Sequence, residues 1–160
     1  MLKAIFPGSF DPPTNGHINV IERIYDMYDE IFVVVADNVS KQYTFTLEER
    51  VEMMREIVEE YPNISVHPWD KLVVEFAEEV GARMMVRGVR ALADFNYEFE
   101  LSMVNKGLNP NVETIFVPTD PQYFVLRSSA IKELARLGGD ISSMVSGRVA
   151  RRLKAKVGRS

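Results

Sequence analysis

Four short stretches of this chain hold residues suited to binding phosphate. The first is Pro7-Gly8-Ser9-Phe10-Asp11-Pro12-Pro13-Thr14-Asn15-Gly16-His17. It separates an apolar run from an amphipathic pattern, so Thr14, Gly16 and His17 stand at the entry to a helix. Gly16 allows the backbone to approach a ligand closely. A helix N-terminus favours an anion, and His17 is placed to donate a hydrogen bond to one. An isolated histidine at this position would cap the helix or pack into the core. With Ser9 upstream and a strand pattern before it, His17 is assigned to a site. The second stretch is Ser40-Lys41, where Lys41 is either a site cation or an ordinary loop lysine. The third is Arg87-Gly88-Val89-Arg90. Two guanidinium groups three residues apart after a buried run suit phosphate recognition, with surface ion pairing as the alternative. The fourth runs from Tyr123 to Arg127 into Ser128-Ser129, hydroxyls that can cap a helix and touch phosphate at once.

These stretches need a scaffold, and the rest of the sequence supplies one. Strands are expected at Lys3 to Phe6, Glu30 to Ala36, Ile64 to His67, Met84 to Val86 and Glu113 to Val117. Helical patterns lie between and after them: Asn15 to Tyr28, Thr46 to Glu60, Leu72 to Val80, Ala93 to Lys106, Ser128 to Leu137 and Ser143 to Lys156. The first helix places Ile18, Ile21, Tyr25 and Tyr28 on one face. Thr46 with Glu49 is a capping-box signature. Strand-helix alternation predicts an α/β fold: a Rossmann-like, doubly wound, mostly parallel five-stranded sheet with helices on both faces. Residues 1–160 read as one domain, with the helix at 143–156 packed on or beside it. In such sheets ligands bind beyond the carboxyl ends of the strands. All four phosphate-binding stretches follow a strand there.

Composition removes several function classes. The chain has 160 residues, 46% hydrophobic and 26% charged, with net charge -4. That acidic balance argues against a general nucleic-acid binder. With no cysteine and two histidines, His17 and His67, thiol catalysis and multi-histidine metal centres are excluded. No apolar run is long enough to span a bilayer, and no signal-peptide pattern opens the chain, so a cytoplasmic protein without membrane contact is expected. The basic stretch Arg148, Arg151, Arg152, Lys154, Lys156 and Arg159 reads as the solvated face of a terminal helix. His67, Trp69 and the eight methionines read as structural. Neither G-x-G-x-x-G nor G-x-x-x-x-G-K-[ST] occurs, which excludes the commonest nucleotide-binding loops.

The stretch Thr14-Asn15-Gly16-His17 resembles the T/H-x-G-H motif of the nucleotidyltransferase superfamily. The resemblance extends nearly end to end to the bacterial phosphopantetheine adenylyltransferases. It is carried by Pro7-Gly8-Ser9-Phe10-Asp11-Pro12, Phe45-Thr46-Leu47-Glu48-Glu49-Arg50, Arg87-Gly88-Val89-Arg90-Ala91, Ala93-Asp94-Phe95-Asn96-Tyr97-Glu98 and Ser128-Ser129. It implies transfer of AMP from ATP to 4'-phosphopantetheine, giving dephospho-coenzyme A and pyrophosphate by direct attack without a covalent intermediate. By the same resemblance, His17 and Ser9 would hold the α-phosphate, Lys41 and Arg87 the acceptor phosphate, and Arg90 the ATP phosphates. Ser128 and Ser129 would receive the β- and γ-phosphates. Phe10, Gly88, Val89, Glu98, Tyr123, Phe124, Val125, Leu126 and Arg127 would complete the ATP site, and Val73 would touch the pantetheine arm. Glu98 could instead face solvent or pair with an arginine. Magnesium is expected to bridge ATP phosphates, with few or no protein ligands. A homohexamer and inhibition by coenzyme A are also implied.

One position departs from the family pattern: Arg127 stands where the family commonly has the first serine of I-S-S-S. The added cation would either assist nucleotide binding or point outward. Related readings stay open at this level, namely a nicotinamide-mononucleotide adenylyltransferase, a cytidylyltransferase or a non-catalytic nucleotide-binding module. Lys41 and the segment Ala93 to Glu98 favour the pantetheine enzyme.

Overall fold

In the computed structural model, which describes residues 1–123 and 127–158, the alternating pattern builds a five-stranded parallel sheet. The strands β1 (Lys3–Gly8), β2 (Glu30–Ala36), β3 (Ile64–Trp69), β4 (Met84–Val89) and β5 (Glu113–Pro118) lie in the order β3-β2-β1-β4-β5. Between them run α1 (Asn15–Ile24), α2 (Leu47–Val58), α3 (Val73–Val80) and α4 (Leu92–Leu108), while α5 (Ser128–Arg136) and α6 (Gly147–Val157) follow β5. The chain moves outward from β1 through β2 to β3. It then crosses back and lays β4 against the other side of β1. The order therefore reverses between β1 and β4, which is where such a sheet offers a crevice. The expected doubly wound α/β fold is the one observed.

Period-two alternation divides the core. Ile5, Val34 and Met85 face Val74, Phe76 and Ala77 of α3. Phe6, Val33, Val35 and Val86 face the opposite way, against Val20, Ile21 and Ile24 of α1 and Val51, Met54 and Val58 of α2. Burial on both faces explains why β2 is apolar throughout its centre. A third cluster joins Phe45 and Met53 to Ile131 and Ala135 of α5, to Ile141 and Val145, and to Val149 and Leu153 of α6. The C-terminal helix thus holds α5 in place. None of the described helices is long and apolar enough to cross a membrane.

Three local expectations change. Helix α1 stops at Ile24, short of Tyr28, and its buried face is Val20, Ile21 and Ile24. Asn63 ends it: its side-chain amide donates to the carbonyls of Tyr25 and Tyr28, at 2.6 and 3.0 Å. Helix α6 begins at Gly147 after Ser146, whose hydroxyl accepts from the Val149 N–H. The preceding residues serve α1 instead, since the Ser143 and Met144 carbonyls accept from the Asn15 side chain and backbone. The basic face of α6 is also only partly solvated. Arg148, Arg152 and Lys156 pair with Glu56, Glu52 and Glu49 of α2.

Such pairs, all at least a quarter exposed, contribute about 0–1 kcal/mol each, whereas Leu153 is fully buried. Packing rather than charge therefore secures α6. Leu153→Ala should cost about 2–5 kcal/mol, and Arg152→Ala about 1 kcal/mol or less. Urea denaturation of the two variants measures the difference, and a larger loss for Arg152→Ala would reverse this ranking.

Candidate active site at the crevice between β1 and β4

Strands β1 and β2 pair along six residues, but β1 and β4 pair only at Ala4 with Met84 and Ile5 with Met85. Past that point the two strands part. Arg87 bridges the gap and donates through Nη1 to the Pro7 carbonyl. A cavity of about 590 Å³ opens above, lined by residues that include Ser9, Thr14, Gly16, His17, Arg87, Gly88, Arg90, Arg127, Ser128 and Ser129. A second cavity of about 200 Å³ adjoins it and is lined by Lys41, Val73, Met85, Leu101, Asn105 and others. Ser9, Arg87 and Glu98 border both.

His17 is set by the turn that starts α1. Thr14 caps the helix: its hydroxyl accepts from the His17 N–H, and the Thr14 N–H donates to His17 Nδ1 at 3.0 Å. This reciprocal pair is a capping box with histidine in the place usually taken by Glu or Gln. Because Nδ1 accepts a backbone proton, the neutral ring carries its own proton on Nε2. Burial, followed by the charges of Arg90 and Arg87, lowers the imidazole pKa to about 4. At neutral pH the site therefore holds an uncharged N–H donor.

Phe10 has a positive φ of 50°, which turns its ring into the core. The ring meets His17 edge-on at 4.9 Å. It also lies under Gly8, where an added Cβ would come within 2.9 Å of it. Phe10 thus supports the cavity floor from behind and does not line it. Arg87 and Glu98 form a two-pronged ion pair at 2.7 and 2.6 Å. Arg90 binds Asp94 at 3.0 Å, and Arg127 approaches the same carboxylate at 3.8 Å. Ser128 is the first residue of α5 rather than its cap, and its hydroxyl donates to the Pro12 carbonyl. Arg127 makes no side-chain cap on α5, and among the described residues no side chain accepts from its first-turn N–H groups.

Most of the residues singled out from the sequence converge here. Ser9, His17, Arg87, Gly88, Arg90, Glu98, Arg127, Ser128 and Ser129 border the larger cavity, while Lys41 and Val73 border the smaller. Val89 and Tyr123 line neither. Val89 takes the Thr119 N–H through its carbonyl, and Tyr123 packs on the third core cluster. Phe124, Val125 and Leu126 lie outside the described residues. The structure adds groups to which sequence reasoning gave no role. Asp94, Tyr97 and Thr119 join the cavity wall. Arg50 is fully buried and binds the Ser9 and Ala36 carbonyls and the Asp37 carboxylate. Asp11 is buried as well. Asp11, Arg50, Asp94 and Tyr97 lie within the stretches that carry the family resemblance, which was the available signal.

Residues 5–134 match the model of the cytidylyltransferase-like family. The phosphopantetheine adenylyltransferase of Caldanaerobacter subterraneus subsp. tengcongensis is 45% identical over the full length of both chains. Those of Dictyoglomus turgidum and Staphylococcus carnosus are 44% and 45% identical, each aligned over 98% of both chains. The chain belongs to the phosphopantetheine adenylyltransferase family. A Vibrio parahaemolyticus structure described as a nicotinate-nucleotide adenylyltransferase superposes with a TM-score of 0.70, covering 96% of this chain and 91% of that one. At 19% identity it establishes the shared fold alone. The family's T-x-G-H stretch is therefore, in this chain, the capping box that orients His17.

The lowered pKa of His17 makes a prediction. An unfolded histidine titrates near 6.5, and this one at about 4. As pH falls below about 6.5 the unfolded chain takes up the proton first. The stability contributed by His17 is thus complete above that pH and is lost progressively towards pH 4. Between pH 7 and pH 5 the wild type should lose more stability in urea than His17→Gln. Equal losses would show that the fold does not hold this imidazole neutral.

Proposed function

We infer that the chain transfers AMP from ATP to 4'-phosphopantetheine, forming dephospho-coenzyme A and releasing pyrophosphate. The observation that carries this reading is the orientation of His17. A neutral N–H donor stands between two guanidinium groups and an uncapped helix N-terminus, at the switch point of the sheet. The acceptor is supplied by relatives of that name at 44–45% identity over essentially the whole chain.

The reaction asks little of acid-base catalysis. A phosphate monoester is already largely dianionic at neutral pH, because its second pKa is about 6. One of its oxygens attacks the α-phosphorus while the bond to the bridging oxygen breaks and pyrophosphate departs. No proton must be removed from the nucleophile. What the site must do is align the two anions and stabilise the charge that spreads over the α-phosphoryl oxygens. His17 with a pKa of about 4 suits the role of donor rather than base. In this reading Ser9 and His17 hold the α-phosphoryl group, and Arg90, Ser128, Ser129 and the first turn of α5 receive the pyrophosphate portion. Lys41 and Arg87 hold the acceptor phosphate. The smaller cavity mixes Val73, Met85 and Leu101 with Ser102, Asn105 and Thr114, a lining that suits an arm of methyl and amide groups.

Magnesium would enter with ATP and neutralise its phosphate charge. Among the described residues no cluster of metal-ligating side chains exists, and Asp94 and Glu98 are each engaged by arginine, so phosphate oxygens would carry the ion. Coenzyme A would compete by placing its pantetheine half in the smaller cavity. A homohexamer, acting in the cytoplasm, completes the proposal. Support for self-association comes from α4, which buries no residue and exposes Leu92, Tyr97, Met103, Val104 and Leu108. Monomers in sedimentation at micromolar concentration would remove that part of the reading.

Pyrophosphate release should depend on ATP, magnesium and 4'-phosphopantetheine together, with dephospho-coenzyme A as the product. Release with nicotinamide mononucleotide alone would transfer the chain to a different acceptor. His17→Ala should lower turnover by about two to three orders of magnitude, as for loss of one preorganised donor, without unfolding. Near-normal turnover would remove His17 from the mechanism. Lys41→Ala should raise the KM for the acceptor. A change confined to the KM for ATP would refute its assignment.

A further inference from the structure

Asp11 and Lys132 line neither cavity, yet they meet beside the site, Asp11 buried and Lys132 half-buried. Asp11 is 5% exposed and its carboxylate is fully engaged. Oδ1 accepts from the Phe45 N–H at 2.9 Å, and Oδ2 accepts from the Thr44 N–H at 2.9 Å and from Lys132 Nζ at 3.2 Å. The partners come from two other segments of the site. Asp11 itself sits in the loop after β1, between Ser9 and His17. Thr44 and Phe45 close the loop after β2, which carries Lys41. Lys132 lies one turn into α5, three and four residues beyond Ser129 and Ser128. No sheet ladder runs at this level; the Ser128 hydroxyl on the Pro12 carbonyl and the packing of Phe45 with Ile131 and Ala135 join the segments in pairs, and the Asp11 carboxylate is the polar group that meets all three.

A buried carboxylate is retained only where donors replace its lost hydration. Here two backbone donors and one ammonium do so, and none of the three can turn away without leaving the charge under-compensated. A shift of α5 towards or away from its phosphates must therefore move Lys132, then Asp11, then residues 44 and 45. We propose that Asp11 and Lys132 form a positioning pair that locks the triphosphate-binding helix to the acceptor-binding loop, so that each substrate is bound correctly only while the pair is intact. The proposal rests on the reading that α5 faces ATP and the Lys41 loop faces a phosphorylated acceptor.

Lys132→Met keeps the aliphatic stem and removes the charge, while Lys132→Arg restores a cation. Initial rates of the full-length variants with ATP and 4'-phosphopantetheine test the idea. Lys132→Met should raise the KM for both substrates and lower kcat by about tenfold or more, as for a small misplacement of reacting groups. Lys132→Arg should recover most of the loss. An acceptor KM that stays within about twofold of wild type while the ATP KM rises would overturn the coupling, reducing Lys132 to a local support of α5. Failure of Lys132→Arg to recover activity at an unchanged melting temperature would also overturn it. A second measurement needs neither turnover nor a variant. Adding ATP alone to the wild type should slow amide hydrogen exchange at Thr44 and Phe45, which donate to Asp11 on the acceptor side. Unaltered exchange at saturating ATP would refute the pair. If the wild type uses another acceptor, the proposed substrate falls while the exchange result still decides the coupling.

Discussion

Everything at this site follows from the parting of β1 and β4. The two central strands pair at only two positions, then diverge, and Arg87 spans the opening. Had the ladder continued as it does between β1 and β2, there would be no space for a ligand at the switch point. The separation also sets the electrostatics. Arg87 and Arg90 leave the sheet on the same side as the start of α5, so positive potential gathers where the strands end. Glu98 and Asp94 offset part of that charge and hold each guanidinium in a defined direction.

Placing a histidine among these cations has a consequence. Burial disfavours its charged form first, and the nearby Arg90 and Arg87 charges add to that, so the ring stays neutral. The Thr14 backbone then decides which nitrogen carries the proton. A capping interaction, whose ordinary effect is to start a helix, here also chooses a tautomer. Helix formation and site chemistry are the same contact.

Loops that end separate strands have no ladder to align them, and buried polar groups take over that task. Arg50 ties the Ser9 carbonyl to the Ala36 carbonyl and the Asp37 carboxylate, and stacks on Tyr43 at 3.8 Å. Asn19 and Asp120 exchange two hydrogen bonds between α1 and the segment after β5. Asp11 performs the same service for the Lys41 loop and α5. These ties carry desolvation costs that apolar residues would avoid. Their return is a site whose parts keep fixed positions.

The division between sequence and tertiary structure is clear in particular residues. Alternating apolar runs determined the five strands and the helices between them, because periodicity is a local property of the chain. The motif residues His17, Arg87, Arg90 and Ser128 were legible because each lies at or beyond the carboxyl end of a strand, and a parallel sheet brings those ends to one side. The length of α1 was not legible, since Asn63, from before β3, supplies the group that ends it. Nor was the pairing of the α6 cations with α2, which depends on how two distant helices pack. The roles of Arg50 and Asp11 stayed hidden for the same reason: a charged residue in a sequence reads as exposed until the fold supplies its partners. Local pattern sets which elements form and which end of the sheet holds the chemistry. Only long-range contacts decide where those elements stop, which nitrogen of His17 bears a proton, and which loops move together.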